Sequence, residues 1–284
     1  SVDLLETVRE ALPQGELRLG FEDAHLSVWQ HRRLRELLPD RIELVAVHGL
    51  VEGLRRVKDP RERALLTDAT ELADSALQSL LGAGLVGRTE RQVAITLERE
   101  MLERGAERPS FASIVAAGPH GAQPHARSRE YEIRTGEMVV IDWGAVLDGY
   151  CSDCTRTVAA GEPGNKAREV YELVLEAQLA GVEAVRAGAH GRDVDSRARS
   201  LIAAGGYGEH FGHGLGHGVG LDVHEAPRLS KSSDDVLAAG NAVTVEPGIY
   251  LAGEFGVRIE DLVIVTEDGC EILTSISKEL RVAE

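Results

Sequence analysis

Apolar positions along this chain recur first at helical spacing and then in extended runs, and that order occurs twice. Arg61–Leu81 carries apolar residues three and four apart, and Thr89 opens a T-x-x-Q capping box with Gln92. A second helical run follows to about Glu103 and is closed by Gly105. Extended segments come next, at Ser113–Ala117 and at Met138–Trp143, the latter turning back through Asp148-Gly149 into Cys151–Ala159. After Gly161–Gly164 the pattern starts again, with a long amphipathic run at Ala167–Arg186 and a shorter one at Asp193–Ala203. Extended pieces then appear in a glycine-rich histidine stretch, at Ala242–Glu246 and at Gly256–Val265. Helix, helix, then strands, twice over, predicts two similar halves of roughly a hundred residues each. Strands in a largely antiparallel sheet backed by helices make this an α+β domain, and a site at the junction would draw residues from both halves.

Ahead of this region the pattern is shorter. Glu16–Gly20, Ala24–Leu38 and Ile42–Val47 read as strand, helix and strand after a helical opening at Ser1, too little for an independent core. Residues 1–55 are therefore expected to be the remnant of a larger N-terminal domain, Arg55–Pro60 a linker, and residues 56–284 the main domain.

Composition narrows the function classes. A net charge of −16 over 284 residues argues against nucleic acid or an anionic membrane as partner. The sequence shows no apolar run long enough to span a bilayer and no signal-type start. Cys151, Cys154 and Cys270 are too few and too odd for a disulfide framework, which fits a reduced, cytoplasmic setting. Cys151 and Cys154 form a lone CxxC, a weak signal for zinc or redox chemistry without a second pair.

The chemistry gathers in Gly212–Glu225, GHGLGHGVGLDVHE. A helix would put His213 and His217 on one face, but each of the interleaved glycines costs about 1 kcal/mol against alanine there. An extended segment with backbone packed close to something fits better. The glycine spacing matches neither GxGxxG nor a Walker loop, which excludes a phosphate cradle.

Carboxylates supply the rest. If Asp148-Gly149 is a two-residue hairpin turn, Leu147 faces Tyr150 and Gly144 faces Asp153, and parity puts Asp142 and Asp153 on one face. As diagonal neighbours their side chains start about 7–8 Å apart, close enough to meet on one small cation. Two solvated edge acids are the plain alternative, and Arg156 is the nearest basic partner for Asp142. Glu246 interrupts the apolar run in VTVEPGIY, and in GVRIEDLVIV Arg258 shares a face with Glu260. Four carboxylates in apolar surroundings demand compensation, and a cation cluster with His217 as nitrogen ligand supplies it. Such an oxygen-rich set suits Mn²⁺, Fe²⁺, Co²⁺ or Zn²⁺ in a two-metal site.

These residues carry a resemblance. VVIDWGA, a second Asp eleven residues on, HGLGHGVGLDVHE, VTVEPGIY and GVRIED follow one another from about Arg61 to the end. In that order they resemble the metallopeptidase family that holds methionine aminopeptidases, aminopeptidase P and prolidases. The wording GHGVGLDVHEAPRLS and the preceding N-terminal region are more similar to the Xaa-Pro peptidases. The resemblance implies the pita-bread fold with pseudo-twofold halves and two divalent metal ions, Mn²⁺ first, with Co²⁺, Fe²⁺ or Zn²⁺ as alternatives. It implies that Asp142 chelates one metal, that His217 and Glu246 hold the other, and that Asp153 and Glu260 bridge both. A bridging hydroxide would be the nucleophile, with Glu246 accepting its proton, His224 stabilising the tetrahedral intermediate and His125 assisting near the departing amine. His213 resembles a residue lining the prolyl side, and Arg258 one that positions substrate. The implied partners are short proline-containing peptides and a second copy of the chain.

Plainer roles stand beside these. His213 can be a hydrogen-bonded core histidine, Arg258 a structural partner of Glu260 or Asp261, and Arg228 a solvated loop arginine. His120 stands where the family more often has Asn, which bears on local substrate contacts. The N-terminal region is shorter than these peptidases usually carry, which leaves open dipeptides against longer peptides. The leading expectation is a dinuclear-metal exopeptidase acting on Xaa-Pro bonds. A methionine aminopeptidase-like or broader aminopeptidase is the second, and a non-catalytic peptide-binding relative or a metal-free creatinase-like enzyme the third.

Overall fold

The computed structural model describes residues 4–283, and the chain separates into two units at Arg55/Arg56. The first holds helix α1 (Leu4–Ala11), strand β1 (Leu17–Glu22), helix α2 (Val28–Leu37), strand β2 (Ile42–Val47) and helix α3 (Leu50–Arg55). Strands β1 and β2 pair in parallel from Leu17 opposite Ile42 to Glu22 opposite Val47. Parallel neighbours need a crossover, and α2 provides it, started by a Ser27/Gln30 capping box. Leu34, Leu38 and Ile42 form its small core with Leu17, Leu19 and Leu44 packed on it.

The expected strand, helix and strand are therefore present, but the expected linker is not loose chain. Its first residue, Arg55, ends α3, and the next residues belong to the second unit. Val57 bridges Asn241, Lys58 N–H donates to Gly240 O at 2.8 Å, and Lys58 is buried. The polar, Pro-containing composition that suggests a linker instead reflects a helix start. Asp59 accepts hydrogen bonds from Arg61 N and Glu62 N, both 2.8 Å, and Pro60 occupies the first turn.

In the second unit, helices α4 (Pro60–Gly82) and α5 (Glu90–Glu103) come first, α5 opened by the Thr89/Gln92 box read from sequence. Strands β3 (Arg108–Pro109), β4 (Ile114–Ala117), β5 (Glu137–Trp143), β6 (Ala145–Leu147), β7 (Tyr150–Cys151) and β8 (Cys154–Ala160) follow. Then come α6 (Asn165–Ala184), α7 (Gly191–Ala204), β9 (Gly216–Gly218), β10 (Glu225–Leu229) and β11 (Ala242–Val245). The chain ends with β12 (Gly248–Leu251), β13 (Phe255–Arg258), β14 (Asp261–Val265), β15 (Cys270–Ile272) and β16 (Val282–Ala283).

Each helix pair backs its own sheet. Leu77, Leu80, Val93, Leu97 and Met101 of α4 and α5 pack on Val115, Val139, Ile141 and Val158, in the sheet ordered β16-β8-β5-β4. Val170, Val174, Val194 and Ile202 of α6 and α7 pack on Val243, Val245, Val263 and Val265, in the sheet ordered β10-β9-β11-β14-β15. Within this unit the pairings are antiparallel except β16 with β8. The α+β class and the repeated helix–helix–sheet order expected from periodicity are both observed.

Candidate metal centre

Local geometry first fixes where the acids point. Asp148 at φ 47° and Gly149 at φ 82° make the tight turn between β6 and β7, with Leu147 opposite Tyr150. The same register continues past a break at Ser152–Asp153, so that Asp142 on β5 faces Thr155 on β8. Asp153 is then the diagonal neighbour of Asp142, and period-2 alternation puts Thr155 on their face. Arg156 faces Ile141 and belongs to the other face. It binds Asp261 at 2.8 Å instead of Asp142, which corrects the Asp142–Arg156 pairing considered from sequence.

The histidine stretch is extended at its centre. His217 sits on β9 between β10 and β11, and its flanking glycines are there for room. A Cβ on Gly216 would lie 2.0 Å from Thr244 O, and one on Gly218 2.3 Å from Ala226 O. Glu246 follows β11, its N–H held by Leu215 O at 2.8 Å, and Glu260 lies in the gap between β13 and β14. In this way both halves deliver side chains to one place. Ligand atoms of Asp142, Asp153 and Glu260 lie within 4.8 Å of one another, as do those of His217, Glu246 and Glu260, and of Asp153, His217 and His224.

The hydrogen bonds of this cluster leave particular atoms open. His217 Nδ1 donates to Gly218 O at 3.1 Å, which turns Nε2 into the cluster. Nε2 lies 3.3 Å from Glu246 Oε1 and 3.6 Å from Asp153 Oδ2. Asp142 Oδ1 and Glu260 Oε1 are buried and lack a hydrogen-bond partner among the described residues. Carboxylates crowded on one imidazole, two of them with an orphaned buried oxygen, repel one another, and a cation would neutralise them. The residues present fit one or two hard divalent ions.

Titration follows the same logic. Burial pushes the Asp153 and Glu260 carboxyls well up, and the neighbouring carboxylates push them further. Asp142 is also raised, by burial, with Arg258 opposing. Burial acts in the same sense on Glu246, but the hydrogen bond and charge of His217 outweigh it and hold that carboxyl at about 2. His224 is lowered to about 4 by desolvation and by His217, whose ring centroid is 4.3 Å away.

Arg258 is buried and satisfied on all sides. It donates to Asp142 Oδ2 at 2.7 Å, Tyr250 Oη at 2.9 Å, Thr155 Oγ1 at 2.9 Å and Pro124 O at 3.2 Å. Thr155 Oγ1 in turn donates to Glu260 Oε2 at 2.7 Å. Neither Glu260 nor Asp261 is the partner of Arg258, contrary to the plain reading of that strand. Asp142, for which Arg156 was the nearest basic candidate in the sequence, has the Arg258 guanidinium on one oxygen and its other oxygen open. His213 accepts from Tyr250 Oη at 2.8 Å through Nε2 and donates through Nδ1 to Gly214 O at 2.8 Å. Its pKa is lowered, chiefly by burial.

These groups line one cavity of about 820 Å³, which also takes in His125, Phe111, Arg127 and Arg228. His125 is exposed on the wall and lies outside the three metal-sized groups. Arg228 lines the cavity too, so it is exposed but not remote. His120 does not: its ring binds the buried Glu90 at 3.0 Å and packs on Tyr131. Cys151 and Cys154 are buried free thiols that gather no metal ligands among the described residues. Thr155 and Tyr250 were given no role from sequence. The parity that joined Asp142 to Asp153 already placed Thr155 beside them, whereas nothing local marked Tyr250.

Comparison with known proteins is consistent with this geometry. A model of metallopeptidase family M24 matches residues 64–267, and one of the creatinase/prolidase N-terminal domain matches residues 1–57. A Xaa-Pro dipeptidase of Pyrococcus furiosus is 43% identical over 238 residues, covering 84% of this chain and 68% of that protein. The solved Xaa-Pro dipeptidase from Bacillus anthracis superposes with a TM-score of 0.95 at 44% identity, over 98% of this chain and 78% of that one. An X-Pro aminopeptidase from Thermotoga maritima gives 0.94 at 37% identity, over 100% and 80%. Alike in sequence, in fold and over most of their common length, these matches place the chain in metallopeptidase family M24.

Proposed function

We propose that the protein is a metal-dependent exopeptidase that hydrolyses the Xaa-Pro bond of dipeptides or short peptides. The observation that carries this reading is the convergence of Asp142, Asp153, His217, Glu246 and Glu260, with His217 Nε2 and two orphaned carboxylate oxygens turned inward. Two divalent ions, Mn²⁺ in this reading, would supply Lewis-acid polarisation of the scissile carbonyl and an acidified water at neutral pH. Asp142 and the His217–Glu246 pair hold opposite sides of that centre, and Asp153 and Glu260 lie between them. Glu246, the carboxylate beside His217 Nε2, would accept the proton of the attacking water. His224 stays neutral down to about pH 4 and stabilises the oxyanion, while His125 on the cavity wall serves the departing amine. His213 and Tyr250 form the prolyl side, and Arg258 ties them to Asp142 and to the His125 loop through Pro124 O.

Arg127 and Arg228 on the same wall suit a free carboxylate, which favours dipeptides. A homodimer in the cytoplasm completes the proposal. Exposed Val28, Trp29, Leu50 and Leu54 in the first unit support the dimer, and three free cysteines support the reducing setting. Residues 1–55 are, in this reading, part of a larger creatinase/prolidase-type domain. The test is turnover of a Xaa-Pro dipeptide beside a Xaa-Pro-Yaa tripeptide, with Mn²⁺ added to metal-stripped protein. Dipeptide cleavage is expected. Tripeptide cleavage alone means an aminopeptidase, and cleavage of neither with metal bound overturns the Xaa-Pro reading.

A further inference from the structure

We propose that Asp195 and Arg199 on α7 are positioning residues for the substrate-facing His213, holding the backbone of the segment that carries it. The inference rests on the reading of His213 as part of the prolyl side. Residues 211–215 lead into β9 with bends at His213 and Leu215, and Leu215 O accepts from Glu246 N on one flank at 2.8 Å. On the other flank, side chains of α7 meet alternate residues of the segment. Arg199 Nη1 donates to Phe211 O at 2.9 Å, Arg199 Nη2 donates to His213 O at 2.7 Å, and Leu215 N donates to Asp195 Oδ1 at 3.0 Å. Backbone groups of residues 211, 213 and 215 are thus held by one side-chain pair.

The pair is itself locked. Arg199 binds Asp195 through Nε and Nη2, both at 2.7 Å, and the Asp195 side chain is 1% exposed. An i,i+4 pair on a helix surface contributes only about 0.2–0.5 kcal/mol, and solvent screening would weaken it further. Here burial and three backbone contacts make the pair part of the wall behind the site. A ring relay completes it. The Arg199 guanidinium lies 3.9 Å over the Phe211 ring, and Phe211 meets the His213 ring edge-on with centroids 5.1 Å apart. His213 and Gly214 line the cavity, whereas Asp195 and Arg199 do not. Any effect of the pair on turnover therefore passes through the segment that carries His213.

The fork geometry of Arg199 is what lysine lacks. Arg199→Lys is expected to lower kcat/KM for a Xaa-Pro dipeptide about tenfold, mainly through KM, with metal content unchanged. In a His213→Ala background the same substitution is expected to cost less than about twofold, because coupled residues are non-additive. An equal loss in both backgrounds overturns the proposal. Asp195→Asn is the second variant, with the same expected pattern, should Arg199→Lys fail to fold. If the wild type does not cleave Xaa-Pro bonds, the substrate reading fails and the positioning proposal is read without substrate. The His213 side-chain resonances, assigned with His213→Ala, should then shift or broaden in Arg199→Lys. Resonances identical to wild type sink it.

Discussion

Glu260 and Asp261 are adjacent in sequence, equally acidic and both buried, yet their surroundings are opposite. Asp261 is closed: Arg156 holds Oδ1 at 2.8 Å, while Gln178 at 2.9 Å and Lys278 at 2.7 Å hold Oδ2. Glu260 is open: Thr155 holds Oε2, Oε1 has no partner among the described residues, and the carboxylates of Asp142, Asp153 and Glu246 gather beside it. Burial of an acid is therefore no sign of function by itself. A buried acid with two cationic partners is structure, and a buried acid facing more acids is a place for an ion.

That contrast breaks most sharply by substitution. Glu260→Gln should reduce turnover by more than the roughly 10²–10³-fold that loss of one electrostatic stabiliser costs, and should lower bound metal, as read by elemental analysis. Retained activity with full metal content would refute the assignment. Asp261→Ala leaves Arg156 buried without its carboxylate and should cost about 3–5 kcal/mol of stability in denaturant titration. Metal content of the remaining folded protein should be unchanged.

The pH response of the metal-free protein sharpens the same contrast. Burial first, then neighbouring carboxylates, raise Glu260, so the folded chain keeps a proton there that the unfolded chain has released. Its contribution is full below the ordinary carboxylate range and is lost as pH rises through the raised value. Metal-free Glu260→Gln should therefore gain Tm over the parent protein as pH increases, and added Mn²⁺ should stabilise the parent more at neutral than at acid pH. A Tm difference independent of pH would count against the open-cluster reading. The smallest effect is expected at His120. His120→Asn should cost about 1 kcal/mol or less by thermal melting and leave kcat/KM unchanged, since the ring serves Glu90 and not the cavity.

Much of this architecture was legible in one dimension because its cause is local. The helix start at Thr89 is set by a side chain that caps its own first turn, the same device at Asp59 having been read as a linker, and the Asp148-Gly149 turn fixes a hairpin register within a few residues. Parity within that hairpin then puts Asp142, Asp153 and Thr155 on one face, and glycines around His217 announce close backbone approach. Partnership between segments far apart was not legible. Asp142 takes Arg258 rather than the nearer Arg156 because the partner strand turns Arg156 to the opposite face. Tyr250 reaches His213, and Asp195 with Arg199 reaches the 211–215 segment, only after α7 and β12 have packed against their sheet. Periodicity and turn chemistry specify faces and registers, because they depend on neighbouring residues. Which charge meets which across the junction of two halves depends on packing, and packing is decided by the whole fold.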